Sequence, residues 1–159
     1  MLSAERVENA INRYGDMLYR ICLLTLGSET DTEDAVQETF IKYMTKAPDF
    51  SDSEHEKAWL IRTALNKCRD MLRFRKHFDQ SDSYEEIISS YTDDKESTHI
   101  LDALMLVPEK FRKVLVLHYV EGYKVNEISE IIGKSQSAVK MRLQKGRRLL
   151  EEKYRKEYM

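Results

Sequence analysis

Between Lys134 and Arg148 the chain carries six basic side chains and no acid, and their spacing is its strongest chemical signal. At about 100° per residue, Val139, Leu143, Gly146 and Leu150 share one narrow sector. Ser137, Met141, Gln144 and Arg148 lie opposite, with Lys140 and Lys145 at the flanks and Arg142 and Arg147 nearer the boundary. One apolar face that needs a core, and one polar face bearing only cations, suit duplex DNA: the flanking cations neutralise phosphates and set register, while the middle of the stripe reaches base edges. A charge run taken alone is more simply a solvated helix. The segment before it counts against that, because Ile128, Ile131 and Ile132 have helical spacing, Gly133 marks a turn and Ser135 a cap. Glu127 to Arg148 is therefore expected to be a helix-turn-helix whose second helix enters the major groove.

A second face lies on the stretch 57–76. Leu60, Ala64, Cys68 and Met71, extended by Ile61, Leu65 and Leu72, occupy one side; Arg62, Asn66, Arg69 and Arg73 occupy the other, with Trp59 and Asp70 along its edge. Trp59 alone would read as a core anchor. A cationic face bearing an amide and bordered by an indole suits single-stranded or distorted nucleic acid, where bases stack and the backbone is tracked.

A third face turns Asp34, Gln37, Glu38 and Lys42 outward. From pattern alone it is a solvated acidic surface, and Asp31, Asp34 and Glu38 could in principle hold a divalent metal. No His, Cys or second acidic cluster accompanies them, so neither catalysis nor a metal is expected. His118 reads as a core histidine; His55, His77 and His99 read as isolated. Cys22 and Cys68 lie in apolar helical patterns without metal-ligand spacing and are expected to be buried thiols. Phosphate-cradling glycine loops, GxSxG and HExxH are missing, so no cofactor is expected and the chain does not read as an enzyme.

These faces need helices to hold them, and the composition supplies them: 5 Gly, 2 Pro and 34% charged residues in 159, with apolar residues at three-and-four spacing. The first helix is expected from Ser3 to Gly27 with Val7, Ile11, Tyr14, Leu18 and Ile21 inward. A second is expected to follow a Thr30/Glu33 capping box and to bury Ala35, Val36, Thr39, Phe40 and Tyr43. After Pro48, Asp49 to Glu56 reads as a loop, and the third helix runs from Lys57 to Lys76. Ile100 to Val107, a helix opened by Pro108 with Phe111, Val114, Leu115 and His118 inward, and the two helices of the DNA-binding motif follow.

Charge divides the chain further. Residues 1–50 carry 5 basic and 9 acidic groups, 51–78 carry 7 and 4, 79–98 carry 1 and 7, and 99–159 carry 13 and 8. The Ser-, Asp- and Glu-rich block reads as a linker. The expected architecture is all-α: two small helical domains, 1–77 and 99–159, joined by an acidic linker at 78–98. Nothing reaches membrane-span length, and Met1 to Arg6 lacks the order of a signal peptide, so membrane insertion is not expected and a cytoplasmic location is.

Three stretches together resemble bacterial sigma factors of the extracytoplasmic-function group: Asp31 to Lys42 (DTEDAVQETFIK), Trp59-Leu-Ile-Arg62 with Asn66, Asp70 and Arg73, and Pro108-Glu-Lys-Phe-Arg112 through Arg148. Their order and spacing agree with that family across nearly all of the chain outside the linker. The resemblance implies that Asp34, Gln37, Glu38 and Lys42 meet core RNA polymerase, which overturns the plain reading of that face. It implies that Trp59, Arg62, Asn66, Arg69 and Arg73 engage the melting minus-ten element, with the Asp49 to Glu56 loop capturing an extruded base. Ser137, Lys140, Met141, Arg142, Gln144, Lys145, Arg147 and Arg148 would read the minus-thirty-five duplex, and the linker would thread the polymerase cleft and RNA exit channel. An anti-sigma partner is common in the family, and a monomer is expected when polymerase is absent.

Four positions depart from the family's usual pattern: Ala138 for Thr, Gly146 for Ala, Leu65 for Arg and Lys145 for Arg. Two other readings stay open at this level: a stand-alone, usually dimeric helix-turn-helix regulator, and a metal-dependent enzyme acting on nucleic acid.

Overall fold

The computed structural model describes residues 1–75 and 95–159, with side chains described from 98 onward in the second stretch. Most of the acidic block, with His77, lies outside the described residues. The chain divides into two compact units, Met1–Asp79 and Gln80–Met159. Both are helical, and the described residues contain no strand.

In the first unit, α1 (Ala4–Leu26) begins where the Ser3 hydroxyl accepts the Arg6 N–H at 3.3 Å, and ends at Gly27, whose φ of 68° only glycine adopts without strain. The next residue, Ser28, already caps α2 (Glu29–Lys46) by accepting the Asp31 N–H at 3.2 Å. The expected Thr30/Glu33 box is therefore displaced: Thr30 lies inside the first turn, because Gly27 reverses the chain so tightly that the buried Ser28 is the first residue able to cap. Of the α2 stripe, Ala35, Thr39, Phe40 and Tyr43 are buried, joined by Thr32, while Val36 is half-buried.

α3 (Ser53–Arg75) starts four residues before Lys57. The Asp52 carboxylate accepts the His55 N–H at 2.8 Å, and Glu54 and Glu56 add negative charge to the first turn, where the helix dipole favours it. The expected Asp49–Glu56 loop thus shrinks to the segment before Ser53. The core of the unit is Tyr14, Leu18, Ile21, Cys22 and Leu26 of α1 against Tyr43 of α2 and Leu60, Ile61, Ala64, Leu65 and Cys68 of α3. Both cysteines are free and fully buried, as expected. Leu65 belongs to this core, so it takes no place on the basic face. Ile11 departs from its expected position: it is 45% exposed and lines a groove of about 300 Å³ with Val7 of α1 and Phe40, Ile41 and Met44 of α2.

In the second unit, α4 (Lys95–Met105) precedes α5 (Glu109–Leu115), which Pro108 opens as the cap residue, its carbonyl accepting the Phe111 and Arg112 N–H groups. α5 runs into a π-helical turn, Val116–Val120, closed by the Glu121 N–H on the Val116 carbonyl. Gly122, at φ 77°, then releases the chain toward α6 (Val125–Ile132). Gly133 (φ 68°) and Ser135, which accepts the Ala138 N–H at 3.1 Å, make the turn into α7 (Gln136–Tyr158). Ala103, Val107, Val114, Leu117, Ile128, Val139 and Leu143 form the core.

Two histidines are placed differently from expectation. His99 stacks on Tyr158 at 4.0 Å, and Tyr158 donates to Asp102 at 3.2 Å, tying the end of α7 to α4. His55 packs edge-on against Phe50 at 5.3 Å. His118 is half-buried, with Nδ1–H donating to the Tyr123 carbonyl at 2.7 Å.

Candidate nucleic-acid interfaces

On α7 the core side is Val139, Leu143 and Gly146, and the opposite stripe is open: Ser137, Lys140, Met141, Gln144, Lys145, Arg147 and Arg148 are all exposed, Met141 to 68%. Arg142 is half-buried, with one guanidinium nitrogen lacking a partner. Lys145 lies 5.2 Å from the Phe111 ring, and Arg147 donates to the Tyr119 hydroxyl at 2.9 Å, so those cations are steered by α5 and the π-turn. Leu150 is only half-buried and lines an apolar groove of about 540 Å³ with Ile100, Leu104, Tyr119 and Tyr154.

One hydrogen bond caps α6 and another spans its turn into α7. The Glu127 carboxylate accepts the Lys124 N–H at 2.9 Å, and the Ser129 hydroxyl donates to the Lys134 carbonyl across the Gly133 turn.

On α3, Arg62, Asn66 and Arg73 are exposed; Arg69 is half-buried and pairs with Asp70 at 3.7 Å. Trp59 is half-buried too, and it belongs to an aromatic group that sequence reasoning missed. Phe50 stacks parallel to Tyr43 at 6.3 Å and meets Trp59 edge-on at 5.8 Å, with His55 beyond it. The Tyr43 hydroxyl donates to Glu56 at 2.8 Å, and Arg6 lies 3.9 Å from the same carboxylate, so one acid joins all three helices. Burial pushes the Tyr43 hydroxyl above its ordinary pKa of 10.0, and the bond to Glu56 adds to the shift; burial and then the Glu56 charge do the same for Tyr14. Aromatic residues spaced 43, 50, 55 and 59 were the available signal, but a residue in an irregular segment has no periodicity to reveal its direction.

On α2, Asp34, Gln37, Glu38 and Lys42 are exposed, beside an Ile41 that is 47% exposed. Asp31, one turn before Asp34 on the same helix, pairs with Arg75. Among the described residues, no group of three or more His, Cys, Asp or Glu side chains is arranged to hold a metal.

Residues 10–78 match the family model for sigma-70 region 2, and residues 98–150 match that for sigma-70, region 4. The chain belongs to the sigma-70 family, in its ECF group. It is 27% identical to the ECF RNA polymerase sigma factor SigW of Bacillus subtilis, over 91% of this chain and 87% of SigW. It is 32% identical to the RNA polymerase sigma factor CarQ of Myxococcus xanthus, over 76% of this chain and 72% of CarQ. Among solved structures, CnrH in complex with the cytosolic domain of CnrY matches with a TM-score of 0.71 at 26% identity, covering 94% of this chain and 87% of CnrH. RpoE of Bartonella quintana shares the fold at 19% identity, with a TM-score of 0.76 over 96% of this chain and 98% of RpoE. This sigma factor is accordingly a transcription initiation factor and not an enzyme. No helix among its described residues is long and apolar enough to cross a membrane.

Proposed function

We propose that this sigma factor acts in the cytoplasm with core RNA polymerase, opening promoters with residues 1–77 and reading the upstream element with residues 99–159. The observation that carries this is that two separate compact units present exposed cationic faces of different character. Asp34, Gln37, Glu38 and Lys42 grip polymerase. Trp59, Arg62, Asn66, Arg69 and Arg73 follow the melted minus-ten strand, because indole stacking and spaced cations serve unpaired bases better than a duplex. Ser137, Lys140, Met141 and Gln144 select the minus-thirty-five element in the major groove, while Arg142, Lys145, Arg147 and Arg148 hold phosphates. The acidic linker, 78–98, occupies polymerase by mimicking nucleic acid. The complex of the relative CnrH with the cytosolic domain of CnrY supports a protein partner for this chain; in this reading that partner is of the anti-sigma kind, and the chain without polymerase is a monomer.

The test is transcription by core polymerase on a random promoter library, with and without the protein. A subset of promoters should fire only on its addition; unchanged initiation on every promoter would reject the reading. Tight binding to paired half-sites by a polymerase-free dimer would instead favour a stand-alone regulator.

A further inference from the structure

Arg75 closes α3 and reaches across the unit to the α1–α2 corner. One guanidinium nitrogen donates to the carbonyl of Leu26, the last residue of α1, at 2.9 Å, and the other donates to the Asp31 carboxylate in the first turn of α2. The two side chains are 15% and 23% exposed, so the pair is partly desolvated. Each contact satisfies a helix end: the Leu26 carbonyl has no partner within its own helix, and Asp31 lies where the α2 dipole favours an anion. The planar, pre-organised guanidinium fork makes both at once.

The α3 core residues stop at Cys68. Beyond it the helix continues for two turns in which Asp70, Arg73 and Phe74 are exposed and Arg69, Met71 and Leu72 half-buried. Those turns carry two cations of the nucleic-acid face, and Arg75, two residues past Arg73, points about 200° away from it. We propose that Arg75 and Asp31 are positioning residues for promoter opening. They lock the outer turns of α3 to the first turn of α2, the helix whose N-terminal half carries Asp34, Gln37 and Glu38, so that the grip on polymerase and the grip on the strand act through one rigid corner. The inference rests on the proposed roles of those two faces.

The test uses full-length protein with core polymerase, on a promoter selected from a random library by the unsubstituted holoenzyme. Permanganate reactivity of unpaired thymines reports opening per bound complex. Asp31→Asn should slow opening roughly 10-fold, the effect of one charged hydrogen bond, and Arg75→Ala, which loses both bonds, at least as much, while closed-complex affinity stays unchanged; Arg75→Lys, with charge but no fork, should fall between Arg75→Ala and the unsubstituted protein. Asp31→Asn keeps the side-chain shape and the Leu26 contact, so it remains informative if Arg75→Ala does not fold. Unchanged opening per bound complex, or a loss that merely tracks the folded fraction by circular dichroism, overturns the proposal. Arg62→Ala with Asn66→Ala separates the two layers. If that pair also leaves opening intact, the reading of the face fails; if the pair impairs opening and the Arg75 and Asp31 variants do not, the positioning role alone fails.

Discussion

Leu115 packs so closely on Gly146 that a Cβ on the glycine would sit 3.1 Å from the leucine Cγ. The helix-propensity cost of about 1 kcal/mol for glycine at this position is thus offset by close approach of α5 and α7. Leu115 also lines the open groove on that side, so its isobutyl group has room to yield by a few tenths of an ångström. Gly146→Ala should therefore be neutral or raise the melting temperature of the second unit by up to about 5 °C. Gly146→Leu should instead destabilise it by about 1–3 kcal/mol through overpacking. Thermal unfolding followed by circular dichroism separates the two.

The hydroxyls of Tyr14 and Tyr43 should respond oppositely to deletion. Tyr43→Phe removes the donor to Glu56 and should cost about 1 kcal/mol, whereas the Tyr14 hydroxyl is buried near the same carboxylate without a well-formed hydrogen bond, so Tyr14→Phe should be neutral or slightly stabilising. Urea unfolding followed by fluorescence reports this unit directly, since Trp59 is the chain's one tryptophan.

The same pair predicts a loss of stability in alkali. Both folded-state pKa values lie above 10.0, so the folded chain holds protons that the unfolded chain gives up. The stabilisation is complete below pH 10 and is lost as pH rises from there through the folded values. Urea midpoints for the Trp59 signal should fall above pH 10, and the Tyr14→Phe/Tyr43→Phe double variant should flatten that slope.

Arg112 is 6% exposed and donates to the Met105 and Val107 carbonyls at 3.0 and 2.8 Å, closing the end of α4. Arg112→Ala would leave buried carbonyls unsatisfied and should cost about 2–3 kcal/mol. The circular dichroism transition of the second unit should move down while the Trp59 fluorescence transition stays in place; a shift of both would show that the units unfold together.

If α7 reads the upstream element as proposed, its two kinds of side chain separate in salt. Arg148→Ala should weaken holoenzyme binding equally on matched and mismatched upstream elements and lower the salt slope by about 1. Gln144→Ala should keep the slope and relax preference at one base pair, by about 1–3 kcal/mol. Salt titrations with both promoter sets check the division.

Much of this architecture is local and was legible in the sequence. Helix exposure repeats every 3.6 residues, so the open faces of α2, α3 and α7 follow from residue order alone, as do the caps at Ser3, Gly27, Gly133 and Ser135, which involve neighbours three or four residues away. Asp52 with Glu54 and Glu56 was an equally local start signal for α3 that the loop reading passed over. What tertiary structure decided was whatever depends on the element opposite. Ile11 meets solvent in the groove it lines with α2 residues, Gly146 lies at a close approach because Leu115 is across from it, and Phe50 lies against Tyr43 and Trp59 from a segment with no period of its own. Arg75 reads in sequence as one more cation on a basic helix; it becomes a partly buried clasp only because packing brings the end of α3 beside Leu26 and Asp31, 49 and 44 residues away.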